Sequence, residues 1–172
     1  FRHQETTTVY VDVPGTLQKL HVQAGEHVTR GQILATLSNI EIELAVARLQ
    51  GEREQLAARL ESLQLRSHTD EAALLEMAEV REALAALDQR VSRRTADLQR
   101  LVIRAPRDGV LLAAPKVPRP TDLDRLPEWT GHPLEAANCG AFLAEGVQLC
   151  QVAEPGSWEA TLAIHEDVIQ HV

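Results

Sequence analysis

Met77-Ala-Glu-Val80-Arg-Glu-Ala-Leu84-Ala-Ala-Leu87-Asp-Gln-Arg-Val91-Ser-Arg-Arg94-Thr-Ala-Asp-Leu98-Gln-Arg-Leu101 is the stretch that decides the fold. Its apolar residues step by alternating threes and fours, the a/d rhythm of a coiled coil. Arg94 takes the one slot that breaks the series, and a cation there either snorkels out of the seam or pairs with a Glu of a facing helix. Upstream, Ile42, Leu49, Leu56 and Leu63 recur every seven residues, with Val46 and Leu60 beside them. Between the two series lies Arg66-Ser-His-Thr-Asp70, short, polar and supplied with residues that can end one helix and cap another. No proline and only Gly51 interrupts the span from 42 to 101. Two helices joined by so short a turn lie antiparallel, so the stretch is an α-hairpin. At about 25–30 residues per helix it forms a rod roughly 40 Å long.

On both sides of the hairpin the pattern changes to short strands. Val9, Val11 and Val13 alternate with polar residues ahead of the turn Pro14-Gly15. Leu17–Val22 and Ile33–Leu37 read as further strands, and Ser38 or Asn39 can cap the first helix. After the hairpin come Leu101–Ile103, the turn Ala105-Pro-Arg-Asp-Gly109, and Val110–Leu112. The segment from Pro115 to Pro133 is rich in proline and charge, which suits an excursion loop better than a core. Strand pattern returns from Gly140 to Val152 and again over Trp158–Ile164.

These flanks contain an internal repeat. Gly25-Glu-His-Val-Thr-Arg-Gly-Gln-Ile-Leu-Ala-Thr-Leu37 aligns without a gap on Gly140-Ala-Phe-Leu-Ala-Glu-Gly-Val-Gln-Leu-Cys-Gln-Val152. Gly25 meets Gly140, Val28 meets Leu143, Gly31 meets Gly146, Leu34 meets Leu149 and Leu37 meets Val152; Pro14-Gly15 has a looser counterpart in Pro106–Gly109. Two half-domains that each lack a complete core are expected to close on each other, with the hairpin leaving from the turn that joins them.

Composition narrows the function. The 172 residues carry a net charge of −8 and only 3% aromatics, so the core is aliphatic and small, and nucleic-acid binding is not the main task. Met77 is the only methionine and the pattern stops inside a strand-like stretch at Val172, so the chain is expected to be a fragment. It shows no signal peptide and no apolar run near 18 residues. Cys139 and Cys150 read as two buried thiols acting as small apolar residues, with a single disulfide between neighbouring strands as the alternative.

The order of motifs carries a resemblance. A Gly-x-x-Val-x-x-Gly-Gln-x-Leu half-motif from Gly25, a coiled-coil hairpin, Ile103-Arg-Ala-Pro-Arg-Asp-Gly109, a second half-motif and a Trp158-type strand resemble the membrane fusion proteins, periplasmic adaptors of the HlyD type. The resemblance covers essentially the whole chain. It implies an α+β fold: a lipoyl-like β-sandwich (barrel-sandwich hybrid) split by an antiparallel α-helical hairpin and followed by the start of a β-barrel domain. The expected divisions are 1–39 and 102–155 for the two lipoyl-like halves, with a Pro-rich insertion at 115–139, 40–101 for the hairpin, and 156–172 for the truncated β-barrel.

By the same resemblance the chain is a non-enzymatic periplasmic adaptor, anchored to the inner membrane by a segment outside it. It would link an inner-membrane transporter to an outer-membrane channel in efflux or type I secretion, as a homo-oligomeric ring. In channel-docking adaptors the tip often carries Arg-x-x-x-Leu-x-x-x-x-x-x-Ser; here Arg59 and Leu63 fit, and Asp70 stands in place of the serine. The expected partner-binding residues are Arg59, Leu63, Arg66, Thr69 and Asp70. The long loop 116–139, with Trp129, hints at a divergent branch coupled to a membrane peptidase instead of a pump.

Three other chemistries are weighed against this reading. Biotinyl and lipoyl domains carry their cofactor on a lysine between the halves, but Ser38-Asn39-Ile40-Glu41 occupies that stretch and the only lysines are Lys19 and Lys116, so no cofactor is expected. The seven histidines show no i, i+4 helical pair and no C-x-x-C occurs, so no metal site is expected; His132, Cys139 and Cys150 are the one combination left open. No nucleophile elbow and no base assigned to either cysteine appears, so no catalytic residue is expected. Two alternatives from other classes stay open: the accessory region of a membrane-bound metallopeptidase, marked by H-E-x-x-H upstream of Phe1, and a coiled-coil scaffold that dimerises without a membrane partner.

Overall fold

The computed structural model describes residues 2–3, 6–67, 71–116, 129, 131–154 and 158–159. Strands β1 (Arg2–His3), β2 (Thr6–Tyr10), β3 (Gly15–Leu20), β4 (His27–Val28) and β5 (Ile33–Ser38) precede helices α1 (Ile40–Arg66) and α2 (Glu71–Arg100). Strands β6 (Val102–Arg104), β7 (Gly109–Ala113), β8 (Phe142–Leu143), β9 (Gln148–Ala153) and β10 (Trp158–Glu159) follow, with a 3-10 turn at Ala136–Asn138. Two four-stranded antiparallel sheets, ordered β2-β9-β7-β4 and β6-β5-β3-β8, face each other, and β1 pairs with β10 as a separate ribbon.

Each sheet takes two strands from either side of the hairpin, so neither half has a core alone. The two sheets repeat one pattern. Val9 stands opposite Cys150 as Ile103 stands opposite Ala35. Leu111 faces Val152 as Leu17 faces Leu37, and Gly109 pairs with Val28 as Gly15 pairs with Leu143. The repeated turns match in detail: Gly25 and Gly140 have φ of 90° and 93°, Gly31 and Gly146 of 83° and 81°, a conformation that favours glycine. Gly25 N–H donates to Leu111 O at 2.7 Å and Gly140 N–H to Leu17 O at 2.8 Å. The interior is aliphatic: Val11, Leu17, Leu34, Leu111, Leu143, Leu149 and Val152 are fully buried.

The hairpin is inserted between two hydrogen-bonded neighbours, β5 and β6. Of the two candidate caps, Asn39 takes the role: its Oδ1 accepts from the N–H groups of Glu41 (3.1 Å) and Ile42 (3.2 Å), and its Nδ2 donates to Pro14 O at 2.8 Å. Ser38 ends β5, and its Oγ accepts from Gln18 Nε2. Asn39 therefore ties the helix start to the sheet. Replacing Asn39 with Ala is expected to cost about 0.5–2 kcal/mol in chemical denaturation. Asn39→Asp, which keeps the cap acceptor and loses the donor to Pro14, should fall between; an alanine variant as stable as the parent would show that the cap is not holding the helix root.

Two expectations need correction. Leu101 closes the heptad series in the sequence but lies beyond α2; it is buried in the β-domain core, with its carbonyl accepting from Leu37 N–H at 2.8 Å. The heptad series runs through the helix end because the core and the seam are continuous there: Ile42 and Leu98 pack against the same cluster. The second correction concerns the Pro-rich insertion, expected to stay outside the core. Pro133 and Leu134 are buried, and Trp129 packs on the β-domain core. Asn138 is buried, and its Nδ2 donates to His132 O at 2.9 Å. An aromatic-poor interior leaves apolar surface to cover, and proline covers it with little loss of side-chain entropy. The rest of the insertion, 117–128 and 130, and nearly all of the stretch assigned to a β-barrel, 156–172, lie outside the described residues.

Candidate functional site

The hairpin is the feature that this fold adds to a closed β-domain, and its geometry is set by contacts between α1 and α2. Arg53 Nε donates to Asp88 Oδ1 at 2.6 Å, and Arg59 Nε to Glu76 Oε1 at 3.0 Å. As one partner advances along α1, the other recedes along α2, so the helices are antiparallel. Val46, Leu49, Leu63, Ala73, Met77, Val80 and Leu87 are buried in the seam. Toward the tip, Leu63, Ala73, Met77 and Val80 form a separate cluster with Leu56 and Leu60 against it. α1 ends where Ser67 N–H donates to Leu63 O and Ser67 Oγ donates to Gln64 O. The ion pairs are solvent-exposed, so each contributes only tenths of a kcal/mol, and apolar burial holds the rod.

Arg94 does not cross to the first helix. Its Nη1 reaches Asp97 Oδ2 of its own helix at 3.3 Å, with the side chain half-exposed. It has snorkelled out, and the seam is carried by its neighbours.

The five expected tip residues have different surroundings. Arg59 spans the hairpin to Glu76, and Leu63 is only 3% exposed, inside the seam. Arg66 is exposed in the last turn of α1. Thr69 and Asp70 lie outside the described residues. The large apolar side chains that do face solvent near this end are Leu65, Leu74 and Leu75. Their signal in the sequence was that they fall out of phase with the seam.

The other candidate chemistries map as follows. The stretch that would carry a lysine-linked cofactor holds the helix cap Asn39. Among the described residues no group of three or more His, Cys, Asp or Glu is arranged to hold a metal ion. His132 Nε2 instead lies 3.5 Å from Glu135 Oε1. Both cysteines are free; Cys150 is buried, as expected, but Cys139 is exposed. Burial pushes the Cys150 thiol up to about 12, which keeps it protonated and a poor nucleophile.

A closed pair of interlocked sheets with a coiled-coil hairpin between adjacent strands defines the class: a barrel-sandwich hybrid domain carrying an α-hairpin, the fold seen in membrane fusion proteins. More narrowly, the chain belongs to the family described as CzcB-like, barrel-sandwich hybrid domain, which matches residues 5–117. Among solved structures, it is similar to a MacA-MexA chimeric protein containing the Pseudomonas aeruginosa MexA α-hairpin domain (TM-score 0.65, 18% identity, 89% of this chain and 49% of that one). It is also similar to the membrane fusion protein Spr0693 of Streptococcus pneumoniae R6 (0.60, 15%, 88% and 62%). MacA of Actinobacillus actinomycetemcomitans is a third (0.54, 17%, 89% and 50%). At these identities the likeness concerns the fold, and the chain spans about half the length of these structures. No curated protein sequence matches the chain.

Proposed function

We propose that this chain is the hairpin-bearing part of a periplasmic adaptor that links an inner-membrane transporter to an outer-membrane channel in efflux or type I secretion. The observation that carries the reading is the root of the hairpin: a rod roughly 40 Å long grows from two paired strands of a closed β-domain and is capped into it through Asn39 and Pro14. Such a rod transmits position, not chemistry, and its role is to span distance and present a tip. The opposite end of the β6-β5 pair, at Ile33 and Arg104, leads to Arg30, Arg107, Asp108 and Glu154, where Arg30 N–H donates to Asp108 Oδ1 at 2.7 Å and Arg107 Nη2 to Glu154 Oε2 at 3.1 Å. The β1-β10 ribbon adjoins β9 and β2, and further domains would attach through it. No helix among the described residues is long and apolar enough to cross a membrane.

The test is photo-cross-linking in intact cells, with the probe at Thr69 of the full-length protein. A cross-link to an outer-membrane channel is expected. Cross-links confined to inner-membrane or peptidase components would overturn the bridging role.

A further inference from the structure

The β-domain leaves one long strand edge open. Each four-stranded sheet ends on one side in a two-residue strand, β4 or β8, and so short an edge is a poor template for further pairing. The opposite ends are β2 and β6. β2 runs for five residues, Thr6-Thr7-Thr8-Val9-Tyr10, rich in β-forming side chains and with neither a charge nor a proline to discourage pairing. Its only strand partner among the described residues is β9. The two ends come together in space: Thr7, Thr8 and Tyr10 of β2 and Val102, Ile103 and Arg104 of β6 line one open cleft of about 500 Å³.

Charge gives that cleft a preference. The chain is acidic overall, at −8. Yet the cleft continues past Ala96 and Arg100 of α2, which it shares with a second depression of about 460 Å³ lined by Arg90, Arg93 and Arg94. Five arginines therefore flank the trough, against Asp97 and, beside Tyr10, Asp12. Asp97 is shared by Arg94 and Arg100, at 3.3 and 3.6 Å, and Arg104 Nη1 donates to Gly31 O at 3.0 Å. Arg90 and Arg93 are exposed and have no ion-pair partner among the described residues. Like charges gathered this closely repel, an anion between them offsets the repulsion, and the guanidinium fork suits carboxylates and phosphates.

We propose that the trough takes an extended acidic peptide segment of a partner protein, its backbone paired with the free edge of β2 and its carboxylates set against Arg90, Arg93 and Arg100. Two features favour a peptide over a phosphate polymer. An open strand edge presents backbone N–H and C=O groups in alternation, which an extended peptide satisfies and a polyphosphate does not. The wall between the edges is apolar, with Val9 and Ile103 buried and Ala96 half-buried beside them. That suits a segment whose acids alternate with apolar residues, since successive side chains of an extended chain point to opposite sides. Arg90 to Arg100 spans roughly 15 Å of helix, the length of about five extended residues. With the residues paired to β2, the segment is about ten residues long. Docking of this kind depends neither on the hairpin tip nor on a channel.

The test uses the full-length protein and a fluorescein-labelled peptide of about ten residues that alternates glutamate and valine, with binding followed by fluorescence anisotropy. Arg90→Glu with Arg93→Glu should weaken binding several-fold; neither arginine holds an ion pair, so the unfolding midpoint should stay where it is. Methylating the backbone nitrogens of the glutamates alone, or of the valines alone, should give affinities several-fold apart, because only every second residue of a paired strand faces the edge. A photo-probe at Gln99, in the cleft, should cross-link to the peptide, and one at the exposed Leu44 of α1 should not. No binding, or equal affinities for the two methylated peptides, would overturn strand docking. Displacement by tripolyphosphate as readily as by unlabelled peptide would assign the arginines to a simple polyanion and overturn it too. A Gln99 probe that captures a second copy of this chain in place of the peptide would give the edge to self-association, with the same consequence.

Discussion

Gly109→Ala is expected to destabilise the β-domain by about 1–3 kcal/mol or more, although it adds a single methyl group. A Cβ at this position would be driven into the backbone carbonyl of Ala153, with Val152 Cγ1 at 2.9 Å and the Ala153 carbonyl carbon at 3.0 Å. Neither obstacle is the loose end of a flexible side chain. Gly109 opens β7, which pairs with β9, so the methyl can be accommodated only by spreading those two strands. The symmetric position gives an internal comparison. A Cβ at Gly15 would meet Ser38 O at 2.8 Å and Leu37 Cβ at 3.2 Å, the counterparts of Ala153 and Val152 in the other sheet. The clash there is less severe, so Gly15→Ala should cost less in the same urea titration. If the two variants were equally stable, or if Gly109→Ala matched the parent, the close approach at β7-β9 would not be a determinant of the fold.

That pair of glycines also shows where the sequence was legible. Gly25–Gly140 and Gly31–Gly146 stand out because a positive φ demands glycine at fixed places within one ungapped block. Gly15–Gly109 was only loosely visible. Its requirement is close approach to a strand distant in sequence, and nothing local marks that. With the strand pairing known, Val9–Ile103, Gly15–Gly109 and Leu17–Leu111 fall at one common spacing. It differs from the spacing of the glycine turns because the Pro-rich insertion falls between β7 and β8. The helices were legible almost to the residue, since seam periodicity is local and repeated many times. Their lower end was not, because Leu101 satisfies the heptad pattern and the β-core equally well. Leu63 carries a sharper lesson. It belongs to the series Ile42, Leu49, Leu56, Leu63, and periodicity alone places it in the seam, where it is; only the motif at the tip argued for an exposed role. Leu65, two residues on, is the one left in solvent.

Leu149→Ala and its symmetric counterpart Leu34→Ala are each expected to lower stability by about 2–5 kcal/mol, among the largest effects available in this chain. Both side chains are fully buried, one in each sheet, on the two central strands β9 and β5. Removing either leaves a cavity in a cluster built mainly of aliphatic side chains, so the penalty combines lost burial with lost packing. The way the two variants behave carries more information than the size of the loss. The sheets each mix strands from both sides of the hairpin, and among the described residues the buried side chains of both sheets form one continuous cluster. Either variant should therefore shift the same single unfolding transition of the β-domain, observed as loss of amide protection in β2, β5, β7 and β9 together. The hairpin tip provides the contrast. Leu63 belongs to a separate cluster with Ala73, Met77 and Val80. Leu63→Ala should loosen protection near the tip while leaving the strands unchanged. A β-domain that melted in two steps, with Leu34→Ala moving one and Leu149→Ala the other, would mean two independent half-cores, and the interlocked-sheet account of how this rod is anchored would fail.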